Sequence, residues 1–320
     1  MDFVKDIIGE ELTIFEKKFA EAVKSNTPLL DRIMKYIIKR KGKQLRPMFV
    51  FLSAKLHGDI NESTYRAAAL VELLHTATLV HDDVVDESLE RRGFFSINAI
   101  WKNKIAVLVG DYLLSKGLLL STSNDDFEHL HILSEAVRQM SEGELLQIEK
   151  SRNLNLSEEI YFEIIRNKTA SLLSSACAVG AYTTSQDKII ADKMKLFGEK
   201  VGIAFQIKDD LFDYGKEDVG KPTGNDIKEK KLTLPLIYTL NNIDTKRKRE
   251  IIYILKNENT NPEKINAVID TVVKAGGIQY ATEKMYLYRD EALAILDEFP
   301  AKEVRKALED LVRYTTDRKY

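Results

Sequence analysis

"YRAAALVELLHTATLV", residues 65–80, decides the fold class. Its apolar residues recur at three- and four-residue spacing, the period of a helix with one buried face. "EIIRNKTASLLSSACAVGAY" (163–182) repeats the pattern. The prolines stand at 28, 47, 222, 235, 262 and 300, so residues 48–221 contain none, and nothing there forbids long helices. Alternating apolar and polar runs are scarce, and the Asn-Gly and Asp-Gly hairpin signals are absent. The reading is an all-α chain.

Breaks between helices fall at "GKQLRP" (42–47), "HGDINES" (57–63), "RRGFFSIN" (91–98), "STSNDDFE" (121–128), "NLNLSEE" (153–159) and "GKEDVGKPTGNDIKEKK" (215–231). Several end in Ser, Asn or Asp before a periodic run, as N-caps do, Ser157 among them. None is long or distinct enough in composition to be a domain linker, and no fixed-period repeat occurs. The expectation is one helical domain spanning 1–320, large enough to enclose a central cavity.

The chain has 320 residues, 44% hydrophobic and 31% charged, with a net charge of −2. That balance argues against nucleic-acid binding through overall charge. The single cysteine, Cys177, cannot form an internal disulfide and reads as a small buried side chain in a reducing compartment. No run approaches the roughly 18 consecutive apolar residues of a membrane span, and the N-terminus has no signal-peptide pattern. These readings place the protein in the cytoplasm, without stable membrane insertion.

Chemistry concentrates in "LVHDDVVDESLERRG" (79–93). On a helix Asp82 and Asp86 share a face, with Asp83 offset from them. "FQIKDDLFDYGK" (205–216) repeats the spacing with Asp209, Asp210 and Asp213 among apolar neighbours. Burying unpaired carboxylates is costly, so the second cluster needs a reason to exist. Carboxylates suit Mg²⁺, which takes one or two of them and completes its shell with water and phosphate oxygens. The inference is a Mg²⁺-bridged phosphate or diphosphate between two aspartate-rich helices. Cations to meet it stand at helix boundaries: Lys43, Arg46, Arg91, Arg92, Lys168, Lys221, Lys230 and Lys231. Arginine offers forked donors to phosphate and lysine a point charge.

From about residue 40 onward the chain resembles the trans-prenyl diphosphate synthases. The resemblance rests on "GKQLRP", "ELLHTATLVHDDVVDESLERRG", "GDYLLS", "EGELLQ", "NKTASL", "FQIKDDLFDY", "GKPTGNDIKEKKLTLPLIY" and "GGIQYA", in that order. It implies the all-α isoprenoid synthase fold and the condensation of an allylic diphosphate with isopentenyl diphosphate. It also implies Mg²⁺, about three ions per site, a number such a site reaches only by sharing phosphate oxygens, and a homodimer. By the same resemblance Asp82, Asp86 and Asp209 hold the metal, and Asp83, Asp210 and Asp213 of the same two motifs are counted with them as metal-site residues. Arg91, Lys168 and Lys221 contact the allylic diphosphate, with Lys231 close by. Lys43, Arg46, His75 and Arg92 bind isopentenyl diphosphate, and Thr169 and Gln206 line the space where the allylic cation forms.

Two departures stand out. The family's loop usually reads Asp-x-x-Glu-Gly-Lys, whereas Glu229 is followed by Lys230 and Lys231, leaving open which lysine reaches phosphate. After "RRG" the family often has a small residue and Pro-Thr, whereas this chain has Phe94-Phe95-Ser96. In the family, large aromatics four or five positions before the first Asp stop the product early. Those positions are Thr78 and Ala77 here, with Leu74 and Val71 further back. The helix from Asp82 to Val71 offers roughly 16 Å of wall, and by the resemblance these small residues imply a product of about C30–C40.

Alternatives are a shorter-chain (C15–C20) synthase, a catalytically silent partner subunit, a terpene cyclase, and a helical HD-type metal phosphohydrolase using His81 and Asp82. The intact motifs speak against the silent subunit, and the cation set for a second diphosphate against the cyclase. The second aspartate motif speaks against the hydrolase, which leaves it unexplained.

Overall fold

A computed structural model describes residues 2–39, 42–91, 93–153, 157–215 and 224–317; Arg92 and Lys221 lie outside the described residues. The helices are α1 (Asp2–Ala22), α2 (Pro28–Ile38), α3 (Leu45–His57), α4 (Glu62–Val85), α5 (Ile97–Trp101), α6 (Asn103–Thr122), α7 (Phe127–Asn153) and α8 (Glu158–Ile165). A π-turn, Arg166–Ala170, follows, then α9 (Ser171–Ser185), α10 (Lys188–Phe212), α11 (Asn225–Lys228), α12 (Leu234–Asn242), α13 (Thr245–Asn257), α14 (Pro262–Lys274), α15 (Gly277–Asp297) and α16 (Glu303–Asp317). The described strands are β1 (Glu90–Arg91) and β2 (Phe94–Phe95), an antiparallel pair. The fold is all-α, as the periodicity requires.

Local chemistry sets the helix starts. Pro28, Pro235 and Pro262 occupy the first turns of α2, α12 and α14, where a missing N–H costs nothing. Asn61 opens α4 with a reciprocal capping box with Thr64, satisfying two otherwise orphaned backbone groups. Ser157 caps α8 by accepting from the Ile160 amide at 3.4 Å.

Cα packing divides the chain into two compact units. The first comprises Met1–Val137, Ser175–Lys195 and Ala301–Leu308; the second comprises Arg138–Ser174, Leu196–Pro300 and Glu309–Tyr320. In the first, α3 is buried continuously from Pro47 to Ala54, the mark of a helix surrounded by neighbours. α4 packs most extensively on α6, around a core that includes Ile33, Leu73, Ala77, Val80, Val109 and Leu113. Cys177 is buried, and burial pushes its thiol up to about 12, so it is inert. In the second unit, α12 lies on α14 and α15, around a core that includes Ile203, Ile207, Leu236, Ile254 and Val268.

Two features differ from the sequence reading. The β1–β2 hairpin occupies the stretch read only as a break; strands of two residues are too short to show alternation. α6 is long and apolar enough to cross a membrane by length and composition, with 33% of its window buried. Its buried residues Ala106, Val109, Gly110, Leu113 and Gly117 recur at helical spacing, as on a helix with one packed face.

Candidate active site

The first aspartate motif closes α4 in the first unit. Val85 ends the helix, but Asp86 keeps αR geometry and its amide bonds to the Asp82 carbonyl at 2.8 Å, so the i, i+4 relation survives. Asp82 is half-buried, Asp86 is exposed and Asp83 is buried. Asp83 accepts from Arg91 Nε at 2.6 Å. Burial raises the Asp83 pKa and the Arg91 guanidinium opposes that rise. The segment between them is stitched to α5: Ser88 O accepts from Ser96 Oγ at 2.7 Å and from Asn98 Nδ2 at 3.1 Å.

Two residues assigned by resemblance to isopentenyl diphosphate meet nearby. Arg46 of α3 donates through Nη1 to His75 Nε2 of α4 at 2.9 Å. Arginine has no acceptor, so His75 Nε2 is the accepting atom of this contact. Lys43 is exposed just before α3. Thr78 is half-buried and donates back to the His75 carbonyl at 2.9 Å; Ala77 and Leu74 are buried. His81 points at α6, with Nε2 3.2 Å from the Val107 carbonyl and 3.5 Å from Asp111 Oδ1. His81 is thus engaged with α6, away from the role an HD-type site gives its histidine.

The second motif ends α10 in the second unit, beside the π-turn that carries Lys168 and Thr169. Two glycines let neighbouring backbones reach that turn. A Cβ on Gly143 of α7 would lie 2.9 Å from Lys168 N, and one on Gly202 of α10 would lie 2.5 Å from Ala170 Cα. The π-turn is a wound-out helical turn, a form that recurs at functional sites. Thr169 Oγ1 donates to Gln206 Oε1 at 2.7 Å, Gln206 Nε2 donates to Asp210 Oδ1 at 2.7 Å, and Tyr161 O–H donates to Asp210 Oδ2 at 2.6 Å. Burial, reinforced by the Asp226 carboxylate, pushes Asp210 up to about 8 against the pull of those two donors. Lys168 pairs with Glu144 of α7 and lies 3.4 Å from Gln147 Oε1.

These side chains surround a cavity of about 190 Å³ lined by Gln147, Ser151, Tyr161, Ile164, Ile165, Lys168, Thr169, Gln206, Asp210, Asp226, Lys231, Leu232 and Thr233. Lys231 therefore lines it, with its Nζ bonded to Glu229 Oε2 at 2.5 Å, whereas Lys230 Nζ donates to the Lys256 carbonyl at 3.1 Å. Asp213 lies just past the end of α10. Its carboxylate accepts from the Asn225 amide at 2.7 Å and the Asp226 amide at 3.1 Å, capping α11 from outside. Of the expected residues, Lys168, Thr169, Gln206, Asp210 and Lys231 come together here. Tyr161, Glu144, Gln147 and Asp226 join them unforeseen. "EGELLQ" contained two of these; Tyr161 sits in an ordinary amphipathic run with no signal of its own.

Among the described residues no three His, Cys, Asp or Glu side chains are grouped to hold an ion by themselves. The donors fit Mg²⁺ in another way. In the first unit Asp82 and Asp86, and separately in the second Asp209, are hard-oxygen donors of the kind Mg²⁺ takes one or two at a time. Asp83, Asp210 and Asp213 are engaged by Arg91, by Tyr161 and Gln206, and by backbone amides.

The polyprenyl synthetase family model matches residues 27–272. The chain belongs to the polyprenyl synthetase family. It is 32% identical to heptaprenyl diphosphate synthase component 2 of Bacillus subtilis (strain 168), covering 98% of this chain and 89% of that one. The crystal structure of a decaprenyl diphosphate synthase from Rhodobacter capsulatus superposes with a TM-score of 0.94 at 34% identity, over 100% of this chain and 99% of that one. A geranylgeranyl pyrophosphate synthase from Bacteroides thetaiotaomicron gives a TM-score of 0.84 at 38% identity, over 99% and 98%.

Proposed function

We propose that this polyprenyl synthetase condenses an allylic diphosphate with successive isopentenyl diphosphates to a long all-trans product of about C30–C40, with the small Ala77 and Thr78 leaving the chain a way past the helix that carries Asp82. The observation that carries the reading is the ring of Lys168, Thr169, Gln206, Asp210 and Lys231 around one cavity. A cation and a threonine on one wound-out turn meet a carboxylate-tipped helix there. Family membership and the heptaprenyl and decaprenyl relatives support the enzyme class and the long product.

The roles follow from the chemistry of each side chain. Asp82, Asp86 and Asp209 hold Mg²⁺, which when bound neutralises a diphosphate leaving group. Asp83, Asp210 and Asp213 support their motifs from behind. Lys168 and Lys231, with Arg91 and Lys221, place positive charge on the allylic diphosphate, the kind of preorganised electrostatic contribution that dominates catalysis. Lys43, Arg46, His75 and Arg92 take isopentenyl diphosphate. As the allylic C–O bond breaks, its electron pair leaves with the diphosphate. Thr169 and Gln206 line the space where the cation develops. The isopentenyl double bond attacks it, and the departing diphosphate accepts the proton released. The two units act as one synthase domain, since the family match runs through residues of both. The exposed Val107, Leu108, Leu118 and Leu119 of α6 suit burial against a second copy in a homodimer, and the protein works in the cytoplasm.

The 38%-identical geranylgeranyl pyrophosphate synthase favours a second reading, a stop at C20. Incubation with farnesyl diphosphate, labelled isopentenyl diphosphate and Mg²⁺ separates the two. A ladder ending near C30–C40 is expected, and Thr78→Phe should shorten it. A stop at C20 keeps the enzyme class and rejects the long product. No elongation at all sinks the proposal.

A further inference from the structure

Tyr161 of α8 is a buried side chain, 3% exposed, whose hydroxyl ends on a carboxylate. It donates to Asp210 Oδ2 at 2.6 Å, and its ring stands edge-on to Phe162 at 5.4 Å. The other carboxylate oxygen, Oδ1, accepts from Gln206 Nε2 at 2.7 Å, and Gln206 Oε1 accepts from Thr169 Oγ1 at 2.7 Å. Four side chains of the second unit form one unbranched chain of hydrogen bonds, from a buried phenol to a hydroxyl on the cavity wall.

The backbone explains why both ends meet α10. Gln206 and Asp210 are four residues apart and share a face of that helix. Tyr161 and Thr169 are eight apart, which on a regular helix leaves them about 80° out of line. The widened turn at Arg166–Ala170 takes part of that rotation back, so Tyr161 reaches Asp210 while Thr169 reaches Gln206 one turn away.

The direction of each bond is set at the buried end. A phenol donates, and an ionised carboxylate only accepts. Asp210 therefore holds the N–H end of the Gln206 amide and turns its carbonyl end to Thr169. Two oxygens 2.7 Å apart need a proton between them, and the Thr169 hydroxyl has one to give. With that proton committed, the hydroxyl has only lone pairs left for the cavity. Oxygens fixed in that sense before the reaction suit a centre that becomes positive.

We propose that Tyr161 is a positioning residue for the allylic cation: through Asp210 it fixes the Gln206 amide, and so makes Thr169 present lone pairs to the cavity. The inference rests on the function proposed above, in which Thr169 and Gln206 line the space where that cation develops. Tyr161→Phe removes only the donor on Asp210 Oδ2, and the carboxylate is then free to turn away from Gln206.

The test is the affinity of the full chain, with Mg²⁺, for a sulfonium analogue of the allylic diphosphate and for its neutral carbon counterpart. Titrations run at about pH 9, above the value of about 8 to which burial raises Asp210, so that the carboxylate is ionised throughout. Wild-type protein should prefer the sulfonium. Tyr161→Phe should narrow that preference about tenfold, leave affinity for the neutral analogue unchanged, and keep its circular dichroism. Its single-turnover elongation rate should fall about 10- to 100-fold at unchanged KM, the scale of losing an outer partner that orients a metal ligand. Adding Tyr161→Phe to Gln206→Leu should cost nothing further, because the effect passes through that amide. Equal weakening of both analogues, an unchanged preference, or the full loss repeated in Gln206→Leu overturns the proposal, leaving Tyr161 a packing residue. So does a wild-type protein that binds both analogues equally, whatever the variants do. Wild-type protein that binds neither analogue and elongates nothing overturns the proposed function itself, and this inference with it.

Discussion

The two aspartate motifs share a spacing and almost nothing else. At the end of α4 the outer position, Asp86, is exposed and the inner Asp83 is paired with a partly exposed arginine. Beyond α10 the outer position, Asp213, spends both oxygens on the amides of Asn225 and Asp226. The inner Asp210 is buried among Tyr161, Gln206 and Asp226. One motif is presented on the surface of a helix end; the other is built into the packing of its unit. A repeated string therefore need not mean a repeated job. The first motif leaves its outer carboxylate, Asp86, exposed, and the second uses two of three to hold a wall in place.

That contrast is broken most directly at the outer positions. Asp86→Ala should leave thermal stability within about 0.5 kcal/mol of wild type, as exposed substitutions do. It should lower kcat about 100-fold or more, the scale of removing one electrostatic contact from a transition state. Asp213→Ala should behave in the opposite order, losing about 1–2 kcal/mol of stability, the value of a helix cap. Urea unfolding beside steady-state rates distinguishes them. Equal stability losses in the two variants would mean that the motifs are equivalent after all.

How much of this was legible beforehand follows from the range over which each signal acts. The helices of 48–212 could be read because burial of one face imposes a period on neighbouring residues, and Asn61, Ser157 and the prolines mark their starts through bonds made within one turn. The identity of the aspartates was legible for the same reason. Their engagement was not. Asp210 meets Tyr161 from 49 positions away, and nothing in "EEIYFEII" distinguishes that tyrosine from a core residue. The repeated spacing of Asp209, Asp210 and Asp213 does not show that α10 stops at Phe212, one residue short of the last of them. The π-turn was also invisible, since an extra residue in a turn changes backbone geometry without changing composition. The glycines that admit it, Gly143 and Gly202, lie outside the segment they shape.

Those close approaches give the second comparison, between Gly202 beside the second motif and Gly110 beside the first. A Cβ on Gly202 meets the Ala170 backbone at 2.5 Å, so α10 or the π-turn has to move. A Cβ on Gly110 meets only the far end of the His81 ring, at 2.1 Å, and that ring is half-exposed and can swing into water. Gly202→Ala should cost about 2–3 kcal/mol, the scale of overpacking against backbone. It should also impair turnover by displacing Lys168 and Thr169. Gly110→Ala should cost under about 1 kcal/mol, offset in part by the better helix propensity of alanine. Matched losses would show that the first region is packed as tightly as the second.

The smallest effect concerns the loop that supplies Lys231. Lys230 sits at φ +58°, in the left-handed region, where an L side chain crowds the following carbonyl at a cost of about 1–2 kcal/mol. The family usually has glycine there, so the strain is particular to this chain. Substituting glycine removes the crowding but returns conformational freedom to the unfolded chain and deletes the exposed bond from Lys230 Nζ to the Lys256 carbonyl. The net gain expected for Lys230→Gly is therefore about 0.5–1 kcal/mol, after the entropy loss is set against the relief of strain. Because Lys231 lines the cavity and Lys230 bonds to the Lys256 carbonyl instead, elongation should be unchanged. If the variant instead gains stability while KM for the allylic substrate rises, Lys230 is the lysine that reaches phosphate, and the second region presents its charge from the loop surface as the first does.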